Sequence, residues 1–261
     1  YQPVLEVATG SVYGYELLMR SQVEALRSPV DVLRIARAQS KLYQIERLTW
    51  FEAMASFTQQ VKAGRVGPGE RAFINSIASQ SLTGSDITAL EDLYGPYLAR
   101  VVLEITEQEP WDNERTRFKI RTAKRWGGQL AIDDFGSGYS SLGLLKEFDV
   151  SALKLDRRFF REDTPRARDV VEAVVRLAAK LGLDTVAEGI EDERQLAFLQ
   201  SVGCGLVQDY VFAEPLPFDE FERWADTRAR AVASGAGSAS RSVPGMPAAS
   251  RNVRTAASMS R

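Results

Sequence analysis

The sequence predicts an α/β fold, a closed (β/α)8 barrel in one domain, and three observations predict it. Short apolar runs alternate with charged, periodic stretches from about residue 71 to about residue 230, the strand–helix rhythm of an α/β fold. Several of these runs are apolar on both faces, as strands are in a parallel sheet covered by helices. Seven or eight such units fit a barrel better than an open sheet. No G-x-G-x-x-G follows the first strand to suggest a dinucleotide fold.

The barrel is assigned to residues 1–230. Residues 1–20 carry two extended segments, near 3–6 and 12–19, joined by the turn Ala8-Thr9-Gly10, which signals a hairpin. The second places Glu16 and Arg20 in an otherwise apolar strand, a costly arrangement unless the charges are paired or bound. Residues 30–62 are periodic through Val32, Ile35, Leu42, Ile45, Leu48, Phe51 and Met54 and predict helix in two pieces. A turn cluster at 64–69 ends it. A strand over 71–75 finishes on the Asn75 amide, and a helix follows near 79–94. The strand 100–106 closes on Glu104 and Glu107, and the helix 113–126 stops at Gly127-Gly128.

Further on, a strand is expected over 129–134, a short helix near 142–148 and a strand over 152–156. The helix 166–181 is amphipathic, with Val170, Val174, Leu177 and Leu181 on one face. A strand over 184–188, a helix over 193–202, a strand over 206–212 and a helix over 217–230 complete the barrel. Gly127, Gly182 and Gly203 sit at helix-to-strand joints, where a C′ glycine belongs. Residues 231–261 turn to Ser, Ala, Gly, Pro and Arg with no acid after Asp226, a composition that predicts a disordered tail.

Composition removes whole classes of chemistry. The chain has no histidine, which eliminates Ser-His nucleophiles and the usual zinc and copper sites. Any metal must be held by oxygen, as Mg²⁺, Mn²⁺ or Ca²⁺ are. A net charge of -2 offers no overall basic field for polymeric nucleic acid. No apolar run approaches the roughly 20 residues of a membrane helix, and no signal peptide is visible. The lone Cys204 excludes an internal disulfide, so a cytoplasmic location without membrane contact is expected. The chain starts at Tyr1 rather than Met, and a piece of a longer protein is expected.

The stretch QLAIDDFGSGYSSL, residues 129–142, concentrates the functional signal. Its strand finishes on Asp133 and Asp134. Neighbouring strand residues point to opposite faces, so both acids can serve one site only where the strand ends, at a turn that Gly136 and Gly138 can bend. Two adjacent acids repel each other unless a cation sits between them. Nearly every other strand also ends in a polar group: Glu16, Asn75, Glu104, Lys154 with Asp156, Glu188 and Gln208. In a parallel barrel these ends open on one face. Five carboxylates and an amide there are enough for two divalent cations sharing a bridging Asp. Such a pair suits in-line hydrolysis of a phosphodiester, with Lys154 orienting water or neutralising charge and Arg20 gripping a phosphate.

Together Tyr1-Gln-Pro, Glu16-Leu-Leu-Met-Arg20, Asn75, Leu103-Glu-Ile-Thr-Glu107, residues 133–142, Leu153-Lys-Leu-Asp156, Ala187-Glu-Gly-Ile-Glu191 and Gln208 resemble EAL-domain cyclic-di-GMP phosphodiesterases. The resemblance covers about residues 1–225. It implies a modified TIM barrel that cleaves cyclic di-GMP to linear pGpG with Mg²⁺ or Mn²⁺, two per site. It implies metal ligation by Glu16, Asn75, Glu104, Asp133, Asp134 and Glu188, water contact by Lys154, and Glu188 as proton acceptor. Arg20 and Leu18 would contact substrate, and Asp156, Glu191 and Gln208 would touch substrate, water or metal ligands. Glu107 would brace the loop 136–141 near a homodimer interface. An upstream sensor or GGDEF domain is the expected partner in the full-length protein.

Two positions depart from the family pattern. Leu17 stands where alanine is usual, and Asp209 follows Gln208 where glycine is usual. Neither removes a ligand, so an active enzyme is favoured over a silent cyclic-di-GMP receptor. An enolase-like barrel using Mg²⁺ and lysine is the third reading, and the second metal's worth of ligands argues against it.

Overall fold

A computed structural model describes residues 1–23, 26, 28–107, 114–137, 141–208 and 215–233 of the chain. Eight strands close into a barrel in sequence order: β1 Gln2–Glu6, β2 Val12–Glu16, β3 Arg71–Asn75, β4 Val101–Thr106, β5 Gln129–Phe135, β6 Ala152–Leu155, β7 Asp184–Glu188 and β8 Leu206–Gln208. The helices are α1 Pro29–Ala38, α2 Leu42–Lys62, α3 Gly84–Leu98, α4 Glu114–Arg125, α5 Ser141–Glu147, α6 Pro165–Leu181, α7 Glu193–Val202 and α8 Phe218–Ala233. β1 is antiparallel to both β2 and β8, while the other neighbours are parallel. The expected hairpin therefore enters the barrel without a crossover helix, and β1 runs upside down relative to the rest. Residues 234–261, which hold most of the expected tail, lie outside the described residues, as do Asp209 and 210–212 of the expected last strand.

Side chains alternate across each strand, which sorts the barrel into two packing regions. Outward-facing Ile74, Leu103, Ile105, Ile132, Leu153, Leu155, Ala187 and Val207 join the large core under the helices. Inward, Val4, Phe73, Val102, Ala131, Ala152, Val186 and Leu206 form a separate apolar floor. Gly14 belongs to that floor: a Cβ there would lie 2.9 Å from the Phe73 ring and 2.7 Å from the Arg71 carbonyl oxygen. Two residues nearer the rim, the same inward face carries Glu16, Asn75, Glu104, Asp133, Lys154, Glu188 and Gln208. The fold thus stacks a polar layer directly on an apolar one.

Several expectations need correction. β2 ends at Glu16 rather than near residue 19. Leu17 N–H makes one more ladder bond to the Phe73 carbonyl, at 3.0 Å, and the chain then leaves the sheet, so Arg20 is exposed outside any strand. The break between α1 and α2 falls at Ser40, whose φ is 54°. Leu48, expected inside, is 52% exposed, whereas Glu46 is 1% exposed, because buried donors on other elements claim its carboxylate.

α3 begins at Gly84 rather than near 79, where Thr83 and Asp86 form a reciprocal cap. α6 starts at Pro165 after the Thr164 cap. It buries Val171, Val175 and Ala178, while Val170 and Leu181 are exposed. The apolar stripe was right in period and one residue out of phase. Gly182 and Gly203 do close α6 and α7 in left-handed conformations.

Candidate functional site

The polar layer converges on Lys154. Its Nζ lies 3.1 Å from Glu16 Oε2, 2.8 Å from Glu104 Oε1, 3.3 Å from Asp133 Oδ1 and 2.9 Å from Glu188 Oε1. Those acids come from β2, β4, β5 and β7, so only barrel closure brings them to one ammonium. Two amides orient the first of them: Asn75 Nδ2 donates to Glu16 Oε1 and Gln208 Nε2 donates to Glu16 Oε2, each at 2.5 Å. Lys154 and Glu104 are buried, while Asp133, Asp134 and Glu188 are partly open to solvent.

Asp134 reaches this face by a route different from the one expected. β5 does not end at the two acids but continues to Phe135, with a register break against β6 between Ile132 and Phe135. Asp134 occupies the bulge with φ 55°, a left-handed conformation rare for a residue with a side chain. The bulge lets two consecutive carboxylates share one site without ending the strand. Oxygens of Asp133, Asp134 and Glu188 lie within 4.8 Å of one another. Gly136, with φ 91°, follows immediately, and a Cβ there would meet the Phe159 ring at 2.4 Å. Its N–H donates to Glu107 Oε2 at 2.8 Å, so buried Glu107 anchors the turn.

The electrostatics are those of too many acids for one lysine. Burial pushes the Glu104 carboxyl well above its usual range, with the nearby Glu16 and Asp133 charges adding to this and Lys154 opposing it. Burial also raises Glu188 to about 7 against the pull of Lys154. Asp134 rises to about 6 through burial and the neighbouring Asp133 and Asp156. Burial would lower Lys154, but Asp133, Glu104, Glu16 and Glu188 hold it well above its usual value. Glu16 stays below the usual carboxylate range: Lys154, Gln208 and Asn75 outweigh its burial.

The donor set fits hard divalent cations. Glu104 Oε2 is buried with no hydrogen-bond partner, an expensive state for a carboxylate oxygen that a cation relieves. Carboxylates and one amide, with neither imidazole nor thiolate, match oxygen-seeking metals.

The remaining predicted residues divide. Asp156 sits just past the end of β6, near enough to hydrogen-bond Asp134, and is gripped by Arg158, whose backbone N–H and Nε both donate to Asp156 Oδ1 at 2.8 Å. Leu18 is half-buried just past β2. Arg20 is exposed and donates to the Met19 carbonyl at 2.9 Å; Glu191 is exposed too, and only its backbone N–H is engaged, by Gln195. Neither joins the cluster. Leu17 is buried in the outer core, a packing position, and Asp209 is outside the described residues.

Sequence reasoning missed two residues. Gln2 pairs with Glu16 across β1 and β2 and is 9% exposed, which makes it the contribution of β1 to the polar layer. Its signal was available as apolar Val4 two positions away, read backwards because β1 is reversed. Arg158 was missed because it follows its strand, inside the short 3-10 turn Arg157–Phe159.

Comparison with known proteins places the chain among relatives. The EAL domain family model matches residues 1–215. "Cyclic di-GMP phosphodiesterase NbdA" of Pseudomonas aeruginosa is 33% identical over 231 residues, covering 86% of this chain and 29% of that protein. The solved structure "PaMucR Phosphodiesterase, c-di-GMP complex" superposes with a TM-score of 0.73 at 28% identity, covering 84% of this chain and 92% of the other. The manganese/cyclic-di-GMP complex of Klebsiella pneumoniae BlrP1 gives a TM-score of 0.69 at 29% identity over 82% of this chain and 54% of that one. The chain spans less than half the length of the curated relatives it matches, 29% in one case and 44% in another.

Proposed function

The chain belongs to the EAL domain family, and from that premise we propose that it hydrolyses cyclic di-GMP to linear pGpG with divalent cations. The observation that carries this reading is the meeting of four carboxylates from four strands at Lys154 Nζ, all within 3.3 Å. The relatives' names and the cyclic-di-GMP complexes of solved neighbours support the substrate, and the manganese complex supports the metal class.

In this reading Glu16, Asn75, Glu104, Asp133, Asp134 and Glu188 hold two Mg²⁺ or Mn²⁺ ions. Bound cations supply Lewis acidity toward the phosphoryl oxygens and acidify water. Lys154 holds a fixed positive charge where negative charge grows on phosphorus, and it contacts the attacking water. Glu188, 2.9 Å from Lys154 Nζ and partly open to solvent, takes the proton from that water as the new P–O bond forms. One ester P–O bond breaks, and its oxygen leaves with a proton from solvent. Gln208 and Asn75 fix the Glu16 carboxylate, Asp156 with Arg158 supports Asp134, and Glu107 braces the Gly136 turn. Arg20, Leu18 and Glu191 lie outside this cluster, just past the ends of β2 and β7.

The test is incubation with cyclic di-GMP and Mg²⁺ or Mn²⁺, with pGpG followed by chromatography and EDTA as the control. Metal-dependent pGpG is expected. Tight binding without turnover would overturn hydrolysis in favour of a receptor. A homodimer and an upstream sensor or GGDEF partner are proposed from the family resemblance, and sedimentation of this chain tests the first. Among the described residues no helix is long and apolar enough to cross a membrane.

A further inference from the structure

A second buried lysine–glutamate arrangement lies behind the barrel wall, between α2 and α4. Glu46 and Lys119 are 1% and 8% exposed, and Lys119 Nζ is 3.6 Å from Glu46 Oε1. Both reach the same two residues. Ser76 Oγ donates to Glu46 Oε1 at 2.5 Å, and Ile77 N–H donates to Glu46 Oε2 at 2.8 Å. Lys119 Nζ donates to Ser76 Oγ at 2.8 Å and also to the Ile77 carbonyl. The peptide groups of Ile77 are thus gripped at both donor and acceptor. Trp50 closes the network, donating to Glu46 Oε1 at 3.2 Å, and its ring meets Trp126 edge-on.

Ser76 and Ile77 are the first residues after Asn75. Ser76 N–H also donates to the Glu104 carbonyl at 3.0 Å, so the gripped segment ties the ends of β3 and β4 together. For stability alone, apolar filler would serve as well as a buried ion pair. An ion pair with four hydrogen bonds to the two residues that leave one strand serves to aim what that strand carries.

We propose that Glu46 and Lys119 are positioning residues for the metal-binding rim. By clamping Ser76–Ile77 they fix the Asn75 amide and the end of the strand that presents Glu104. This rests on the reading that Asn75 and Glu104 hold divalent cations. Arranged this way, the clamp sets cation affinity from the helix layer without touching cation or substrate.

The experiment measures Mn²⁺ affinity by electron paramagnetic resonance, with thermal unfolding in parallel, for Glu46→Gln, Lys119→Met, Ser76→Ala and the control Asp86→Asn. Asp86 ties the far end of the same connection, taking Tyr43, Arg47 and Thr83 as partners. Folded Glu46→Gln and Lys119→Met are expected to bind Mn²⁺ about 10-fold more weakly, and Ser76→Ala less so. Asp86→Asn is expected to lose stability with Mn²⁺ affinity unchanged. Wild-type affinity in folded Glu46→Gln or Lys119→Met overturns the proposal, as does an equal loss in Asp86→Asn. Should Glu46→Gln not fold, Lys119→Met and Ser76→Ala carry the same comparison. Wild-type turnover of cyclic di-GMP is run alongside: its absence counts against hydrolysis, whereas the ratio of Mn²⁺ affinities decides the clamp.

Discussion

Two buried lysines face carboxylates in this barrel, and they are surrounded in opposite ways. Lys119 meets Glu46, whose oxygens also accept from Trp50, Ser76 and Ile77. Among the described residues that cluster pairs one ammonium with one carboxylate and is rich in hydrogen bonds. Lys154 meets four carboxylates, and Glu104 Oε2 beside it is buried without a hydrogen-bond partner. In the first arrangement both carboxylate oxygens have donors. The second carries an excess of acids over cations, which retained protons or bound cations offset. The contrast separates a buried pair whose carboxylate is fully hydrogen-bonded from a crowd of acids whose donor set fits a divalent cation.

The most forceful way to break the comparison is Lys154→Ala. Turnover should fall by about 10³-fold or more, and in EDTA urea unfolding should show a loss of about 3–5 kcal/mol, as when one partner of a buried pair is removed. Mg²⁺ should recover part of that stability and none of the turnover. Equal losses with and without Mg²⁺ would mean that the four acids do not act as a cation trap.

The balanced cluster should answer differently. Glu46→Leu alone should also cost about 3–5 kcal/mol, but adding Lys119→Met should return part of it, because no uncompensated charge then remains. A double variant as unstable as the sum of its parts would remove the distinction between the two sites.

Metal and pH sharpen it next. At 100 times its dissociation constant, Mg²⁺ should stabilise the apoprotein by about 2.7 kcal/mol. Glu188 is raised from 4.5 to about 7 and Asp134 from 3.8 to about 6. A carboxyl with a raised folded pKa keeps a proton that the unfolded chain releases, so its contribution is full below the unfolded value and is lost as pH rises. Apoprotein stability should therefore decline between about pH 4 and 7, and saturating Mg²⁺ should flatten that decline. Melting curves across this range, with and without EDTA, check it.

The smallest expected effect is at the turn. Glu107→Ala leaves the Gly136 N–H without its carboxylate acceptor and should cost about 1–3 kcal/mol. Turnover should drop about 10-fold with a higher Mg²⁺ requirement. An unchanged Mg²⁺ requirement would count against the bracing role.

Much of the site was legible because a closed barrel gathers strand ends, and a polar residue ending an apolar run is visible without coordinates. Glu16, Asn75, Glu104, Asp133, Lys154, Glu188 and Gln208 all follow that pattern. Gln2 does not, since its strand is reversed and its polar residue comes first. The bulge at Asp134 was illegible because alternation assumes an unbroken pleat, and the left-handed residue is an acid rather than a glycine. Helix phase was also beyond periodicity. In α6 Val170 and Val171 are both valine, and neighbouring elements decide which one faces inward. In α2 the buried position belongs to Glu46, because partners distant in sequence satisfy it.

The apolar floor has a consequence for how such a barrel can change over generations. Val4, Phe73, Val102 and their neighbours fill the barrel interior beneath the acids, so inheritance of the architecture does not depend on keeping the chemistry. Lineages that exchange rim residues can drift toward recognition without cleavage while the scaffold beneath them persists.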